Sequence, residues 1–305
     1  MSLAQQVDQD PVTVRAPAKV NLHLGVGAPR PDGYHPLATV YQAVGLYDDV
    51  SVYDADEWSV ELVEPVDGVP LDGTNLAVRA GKALAEHHGV ERAARILIAK
   101  GIPVAGGMAG GSADAAATLV ALDRLWDLET TDDDLLAIAA RLGSDVPFAL
   151  VGGTATGLGR GEVVDAVPDR TELWWVVVLD DVGLSTPAVF QRYDELVPDA
   201  PAEPELPAPL LAALALGETE MLAEELHNDL WPAARDLLPD LLDVEARLAA
   251  VGAEAVLLSG SGPTLLLLYT DADAARLAAG HVQELGFRCV VAPGPVAGAH
   301  VVTYG

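Results

Sequence analysis

The chain has 305 residues, half of them hydrophobic, and 17 basic against 46 acidic side chains give a formal net charge of −29. That length makes one large domain or two ordinary ones with a sizeable core, and so acidic a surface argues against nucleic-acid or anionic-membrane partners. No apolar run approaches the ~20 residues that span a bilayer, and Met1–Pro11 lacks the basic-then-apolar order of a signal peptide, so a soluble, cytoplasmic protein is expected. The single cysteine, Cys289, excludes an intrachain disulfide and a cysteine-cluster metal site. Its neighbours Arg288, Val290 and Val291 make it a small buried hydrophobe of a strand. Only Lys19, Lys82 and Lys100 are lysines, and a phosphorylated ligand on so acidic a chain needs cations placed locally.

Residues 12–26 alternate like a strand. Lys19, Asn21 and His23 share one parity and project from one face. They are either the solvated side of an edge strand or a pair of site residues with a neighbour. A turn-rich loop follows at residues 28–36, and its Tyr34-His35 pair suits either loop packing or a flat ring ligand. Strands are expected at residues 39–46, 49–53 and 59–63, and a helix opens at Asn75.

An apolar run at Ile96–Ile98 leads into the stretch Pro103, Val104, Ala105, Gly106, Gly107, Met108, Ala109, Gly110, Gly111, Ser112, Ala113. From Ala113 to Trp126 the period turns helical, with Ala115, Leu119, Leu122 and Leu125 on one face. Strand, glycine loop and helix start together offer unpaired backbone donors and a positive dipole end, which suits polyphosphate. The spacing is neither G-x-x-x-x-G-K-[ST] nor G-x-G-x-x-G. An ordinary glycine-rich turn is the alternative, and glycine content leaves the two level.

Thr131 reads as the N-cap of a helix through Leu142. Asp145 follows, either an Asx-type turn residue or a functional carboxylate. A second glycine-rich stretch spans residues 152–161, with strands on both sides of Arg160. Residues 172–179 form a buried strand, Thr186-Pro187 starts a helix with Phe190 and Tyr193, and five prolines from Pro198 to Pro209 mark an exposed connection. Helices are expected at residues 210–216, 218–226, 239–251 and 272–285. Strands are expected at 255–258, 264–269 and 288–292, with the tight Ser259-Gly260-Ser261-Gly262-Pro263 between the first two. Alternating helices and strands read as an α/β (α+β) sandwich.

Three stretches together resemble the GHMP kinase superfamily: P-A-K-V-N-L-H-L from Pro17, the glycine loop, and L-S-G-S-G-P-T from Leu258. Within it, Asp32-Gly33-Tyr34-His35, Ser144–Phe148 and Thr186–Phe190 resemble the branch that phosphorylates the 2-hydroxyl of a cytidine-diphosphate-linked methylerythritol in non-mevalonate isoprenoid biosynthesis. The resemblance implies a two-domain GHMP kinase fold, with an S5-like nucleotide-binding domain (1–168) and a ferredoxin-like domain (169–305). The implied cofactors are ATP and Mg²⁺, without a protein metal cluster. By resemblance, Pro103 to Ala113 bind ATP with Asn75 at the adenine pocket, Asp145 is the catalytic base and Lys19 the catalytic lysine. Tyr34 and Phe190 sandwich cytosine, His35 bonds its edge, and Asn21, Lys100 and Thr186 contact substrate. Ala109, Ala113 and Asp114 depart from the commoner residues of the motif but keep it small. Homoserine kinase is the rival within the superfamily. A non-catalytic nucleotide- or sugar-binding protein is the rival outside enzymes, and the presence of both Lys19 and Asp145 argues against it.

Overall fold

The computed structural model describes residues 10–104, 106–179 and 183–303, so the expectation for Ala105 lies outside the described residues. The first half runs β1 (Val12–Val26), β2 (Leu37–Ala55), β3 (Ser59–Leu62), α1 (Leu76–His88), β4 (Ala93–Ala99), α2 (Gly110–Trp126), α3 (Asp132–Leu142), α4 (Val146–Val151), β5 (Thr154–Leu158) and β6 (Val163–Ala166). The second half continues with β7 (Leu173–Leu179), α5 (Thr186–Leu196), α6 (Ala208–Leu216), α7 (Thr219–Glu225), β8 (His227–Asn228), α8 (Trp231–Leu237), α9 (Asp240–Ala249), β9 (Ala255–Leu258), β10 (Leu265–Tyr269), α10 (Ala272–Glu284), β11 (Arg288–Gly294) and β12 (His300–Val302).

Among the described residues the strands form two sheets. The larger has the order β12-β1-β2-β4-β3, with β5 and β6 continuing from β2 and β8 pairing β1. The smaller is antiparallel in the order β11-β7-β10-β9. β1 pairs β2 along its length and β12 and β8 near its two ends, and both its faces are covered. Val14, Ala16, Ala18, Val20 and Leu22 join the main core with the small residues of α2. The opposite parity, which carries Lys19 and Asn21, is buried too, and that removes the reading as a solvated strand face. α2 is enclosed nearly all round, with Ala113 to Leu119 buried, because a run of alanines lets a helix approach a sheet and three other helices closely.

The two strands expected at 39–46 and 49–53 are one strand, β2. Gly45 and Leu46 bulge opposite the Pro17/Ala18 step, where proline offers no N–H to the ladder. α1 is capped as its sequence implies: Asn75 Oδ1 accepts from Ala77 N at 2.9 Å, and Gly89 ends the helix with φ 63°. The largest difference lies at α2, which begins at Gly110 rather than Ala113. Ser112 N and Ala113 N are already bonded to Ala109 O, at 2.9 and 3.0 Å. Gly110 and Gly111 are therefore the residues whose N–H groups have no helical acceptor. Ala109 holds the turn at φ 59°, a left-handed conformation costing an L-residue about 1–2 kcal/mol.

Candidate active site

The three motifs meet at one point. Lys19 N donates to Met108 O at 3.2 Å, tying β1 to the glycine loop. A Cβ at Gly107 would stand 2.8 Å from Ser259 O, and one at Gly260 would lie 3.7 Å from Gly107 O and 3.9 Å from Lys19 Nζ. Gly107 also has φ 68°, so glycine is required there both by conformation and by the approach of the 259–263 turn. Asn228, from β8, secures that turn by donating Nδ2 to Leu258 O and Gly260 O, at 2.9 and 2.7 Å.

Two cavities open on this junction. The first, of about 670 Å³, is lined by Lys19, Asn21, Tyr34, His35, Asp145, Thr186 and Phe190, with Tyr41, Arg160 and Asp194 among their neighbours. The second, of about 380 Å³, is lined by Asn75, Lys100, Pro103, Val104 and Gly106 to Gly111. Gly107 and Ala109 face both, so the two spaces share a wall at the glycine loop. Ser112 and Ala113 follow in the first turn of α2, Ser112 half-buried and Ala113 buried.

In the first cavity Lys19 is 8 % exposed and donates to Asn21 Oδ1 at 2.7 Å. Asn21 Nδ2 in turn donates to Thr39 Oγ1 at 2.8 Å, so the ammonium is held by a relay anchored in the sheet. Asp145 occupies the N-cap position of α4, but its side chain makes no capping bond. Its carboxylate meets the hydroxyl of Tyr41 instead. Tyr41 was invisible as a site residue in the sequence, where it is one more aromatic in a strand. Burial, then the Asp145 charge, pushes its phenol well above the usual range, so it stays a protonated donor. The ring is fixed by Phe148, stacked at 4.9 Å, and Lys19 Nζ lies 5.7 Å from its centroid.

At the other end of this cavity His35 is buried, donates Nε2 to Asp194 Oδ1 at 2.8 Å, and packs 4.9 Å from the Phe190 ring. Tyr34 is 54 % exposed. Thr186 Oγ1 and Ser261 Oγ are 2.9 Å apart, which links the start of α5 to the 259–263 turn.

Two expected residues are placed differently from the rest. Asn75 lines the second cavity, but both its polar atoms are engaged, Oδ1 as the helix cap and Nδ2 to Pro70 O at 2.7 Å, so it shapes that space with its own fold. Lys100 lies in the second cavity, apart from Tyr34, His35, Thr186 and Phe190. It is buried beneath Gly110 between Asp48 and Asp114, with Nζ 2.8 Å from Asp114 Oδ2. Asp48 Oδ1 also accepts from Gly101 N and Ile102 N, at 2.8 and 2.9 Å. The triad thus ties the chain before the glycine loop to the helix after it.

Burial pushes the Asp114 carboxyl up, against the pull of Lys100 and with the push of Asp48. A carboxyl raised in the folded state binds more protons there than in the unfolded chain, so its contribution to stability is lost as pH rises through the folded value. Asp114→Asn keeps an acceptor for Lys100 and removes that titration. The expected result is a melting-temperature gap in favour of the variant that widens between pH 5 and pH 9. A gap constant across that range would mean Asp114 is ionised throughout.

Residues 75–153 match the family profile "GHMP kinases N terminal domain" and residues 210–286 match "GHMP kinases C terminal". A 4-diphosphocytidyl-2-C-methyl-D-erythritol kinase of Nocardioides sp. is 61 % identical over 296 residues, 95 % of this chain and 100 % of that protein. The enzyme of that name from Mycobacterium tuberculosis is 50 % identical over 297 residues, 96 % and 93 % of the two chains. The crystal structure of a 4-(cytidine 5'-diphospho)-2C-methyl-D-erythritol kinase superposes with a TM-score of 0.77 at 34 % identity, covering 93 % of this chain and all of that one. A homoserine kinase from Cytophaga hutchinsonii shares the fold, with a TM-score of 0.73 at 21 % identity over 99 % of this chain and all of that one. The chain belongs to the GHMP kinase family, within its 4-diphosphocytidyl-2-C-methyl-D-erythritol kinase branch.

Proposed function

We propose that this kinase transfers the γ-phosphoryl group of ATP to the 2-hydroxyl of 4-diphosphocytidyl-2-C-methyl-D-erythritol, in the non-mevalonate route to isoprenoid precursors. The observation that carries the reading is one cleft with a Lys19–Asp145 end and a Tyr34–His35–Phe190 end. A small amino alcohol has no use for two aromatic rings and an imidazole.

ATP takes the second cavity. Its phosphates meet the free N–H groups of Gly110 and Gly111 at the positive end of α2. In this assignment Lys100 is a support beneath the loop rather than an acceptor contact. Phosphoryl transfer demands alignment and charge stabilisation more than covalent help from the protein. Asp145 orients the acceptor hydroxyl and takes its proton, and Lys19 stabilises the charge that develops on the oxygens. The Tyr41 hydroxyl faces the Asp145 carboxylate.

Mg²⁺ fits the donor set as a partner of ATP. No group of three or more His, Cys, Asp or Glu gathers as a metal cage among the described residues, and Mg²⁺ on nucleotide phosphates needs only one or two protein oxygens. Ser112, in the first turn of α2, offers a hydroxyl; bound there, Mg²⁺ would neutralise charge on the transferred group. We read residues 1–168 as the nucleotide-binding part and 169–305 as the second part, with β8 and β12 crossing back to pair β1. Among the described residues no helix is long and apolar enough to cross a membrane.

The aromatic end supplies the test. Stacking on a base is worth roughly 1–3 kcal/mol, so Tyr34→Ala is expected to raise KM for the cytidine acceptor about 5- to 150-fold. KM for ATP stays within about 2-fold, and Phe190→Ala behaves alike with some loss of stability from its packing on His35. A rise confined to ATP would move these rings to the nucleotide site and overturn the acceptor assignment.

A further inference from the structure

Arg160 lies on the turn between β5 and β6, and three contacts fix the backbone there. Leu37 N donates to Gly159 O at 2.7 Å, Gly161 N donates to Leu158 O at 3.0 Å, and Arg160 N donates to Glu162 Oε2. Both flanking glycines have positive φ, 73° and 101°, so the turn depends on them. A Cβ at Gly161 would fall 2.2 Å from Tyr41 Oη, which shows how closely the turn seats on the tyrosine that meets Asp145. From that point the Arg160 side chain reaches the other way. Its Cζ stands 4.9 Å from the centroid of the Tyr34 ring.

The guanidinium therefore stands at the aromatic end of the cleft, on a turn whose backbone seats against Tyr41. Its Nε lies 3.5 Å from Glu162 Oε1, and neither Nη1 nor Nη2 donates a hydrogen bond to a side chain among the described residues. Lys19 and Arg160 are the only lysine and arginine among the described residues that line this cleft. Lys19 is held at the reacting end by Asn21, while Asp145 and Asp194 add negative charge. An acceptor whose cytosine lies at Tyr34 and whose hydroxyl lies at Asp145 must thread its linking group past Arg160. On a chain of net charge −29, an anionic linker needs a cation at that place. A planar fork with two open amino groups matches diphosphate oxygens in a way an ammonium does not.

We propose that Arg160 is the diphosphate-binding residue of the acceptor site, a specificity determinant that selects a nucleoside diphosphate linkage over an uncharged one. The proposal rests on the acceptor reading above, and the experiment separates the two. Cytidine and CDP, the probes, are titrated calorimetrically into wild type, Arg160→Gln and Arg160→Lys, and KM is measured for acceptor and ATP. Hydrogen bonds to a charged group are strong enough that Arg160→Gln should weaken CDP about 10-fold or more. Cytidine binding should stay within about 2-fold, acceptor KM should rise in parallel with the loss of CDP, and ATP KM should hold. Arg160→Lys should recover part of the loss, since it keeps charge but not the fork. Added salt should weaken CDP on wild type more than on Arg160→Gln. Equal weakening of cytidine and CDP would make Arg160 only a support for Tyr34 and overturn the proposal, as would unchanged CDP binding. If wild type binds neither probe, the acceptor reading itself falls and takes this proposal with it.

Discussion

Asp145→Asn is expected to lower turnover by about 10²–10⁴-fold, the usual worth of a general base, while the protein melts as wild type does and binds ATP as tightly. The reason for expecting an intact fold is local. Asp145 caps α4 by position only and lends its side chain to no backbone N–H, so the helix does not depend on the carboxylate. Asparagine also keeps an oxygen for the Tyr41 hydroxyl. What disappears is the capacity to receive the acceptor proton. Single-turnover rates with both substrates bound give the cleanest reading, because they exclude product release. A variant within a few-fold of wild type would return Asp145 to the status of a turn residue.

Gly111→Val is expected to abolish measurable ATP binding in a protein that still folds. Gly110 would be a poorer probe, since its Cβ would already crowd Lys100 Nζ at 3.2 Å and Ile102 Cγ2 at 3.3 Å. Gly107 is worse still, because positive φ and the Ser259 carbonyl both forbid a side chain there. At Gly111 a Cβ meets no protein atom within 4 Å, and the residue is already helical. A loss of nucleotide affinity in the folded variant therefore reports on the approach of phosphate to this backbone. Native circular dichroism with lost nucleotide affinity is the predicted pair of observations. Unchanged affinity would mean that phosphate does not approach this backbone.

The local part of this design could be read from the chain. The shared parity of Lys19 and Asn21 in an apolar strand, the cap at Asn75, and the glycines ahead of an alanine-rich helix are all short-range patterns. The structure places them as one junction because β1 is covered on both faces and the 259–263 turn closes on Gly107. What stayed hidden depends on pairings across long separations. Tyr41 gains its role only when Asp145 is folded against it, and Arg160 only when its turn brings the guanidinium over Tyr34. The partners of Lys100 are hidden for the same reason: nothing near it in the chain announces Asp48, which lies 52 residues earlier. Among elements, α8 was missed because it is a short helix opened by Trp231-Pro232, and β12 because three residues returning to a distant sheet leave no periodicity.

The central claim is that the cleft accepts a cytidine-diphosphate-linked alcohol, and the direct test is phosphoryl transfer itself. With ATP and Mg²⁺ saturating, initial rates are compared for 4-diphosphocytidyl-2-C-methyl-D-erythritol and for homoserine, and the product is examined by phosphorus NMR. The predicted result is turnover of the cytidine acceptor with one new phosphate monoester at its 2-hydroxyl, and no rate above background ATP hydrolysis with homoserine. Phosphorylation of homoserine at a comparable rate, or no transfer to the cytidine acceptor, would contradict the assignment.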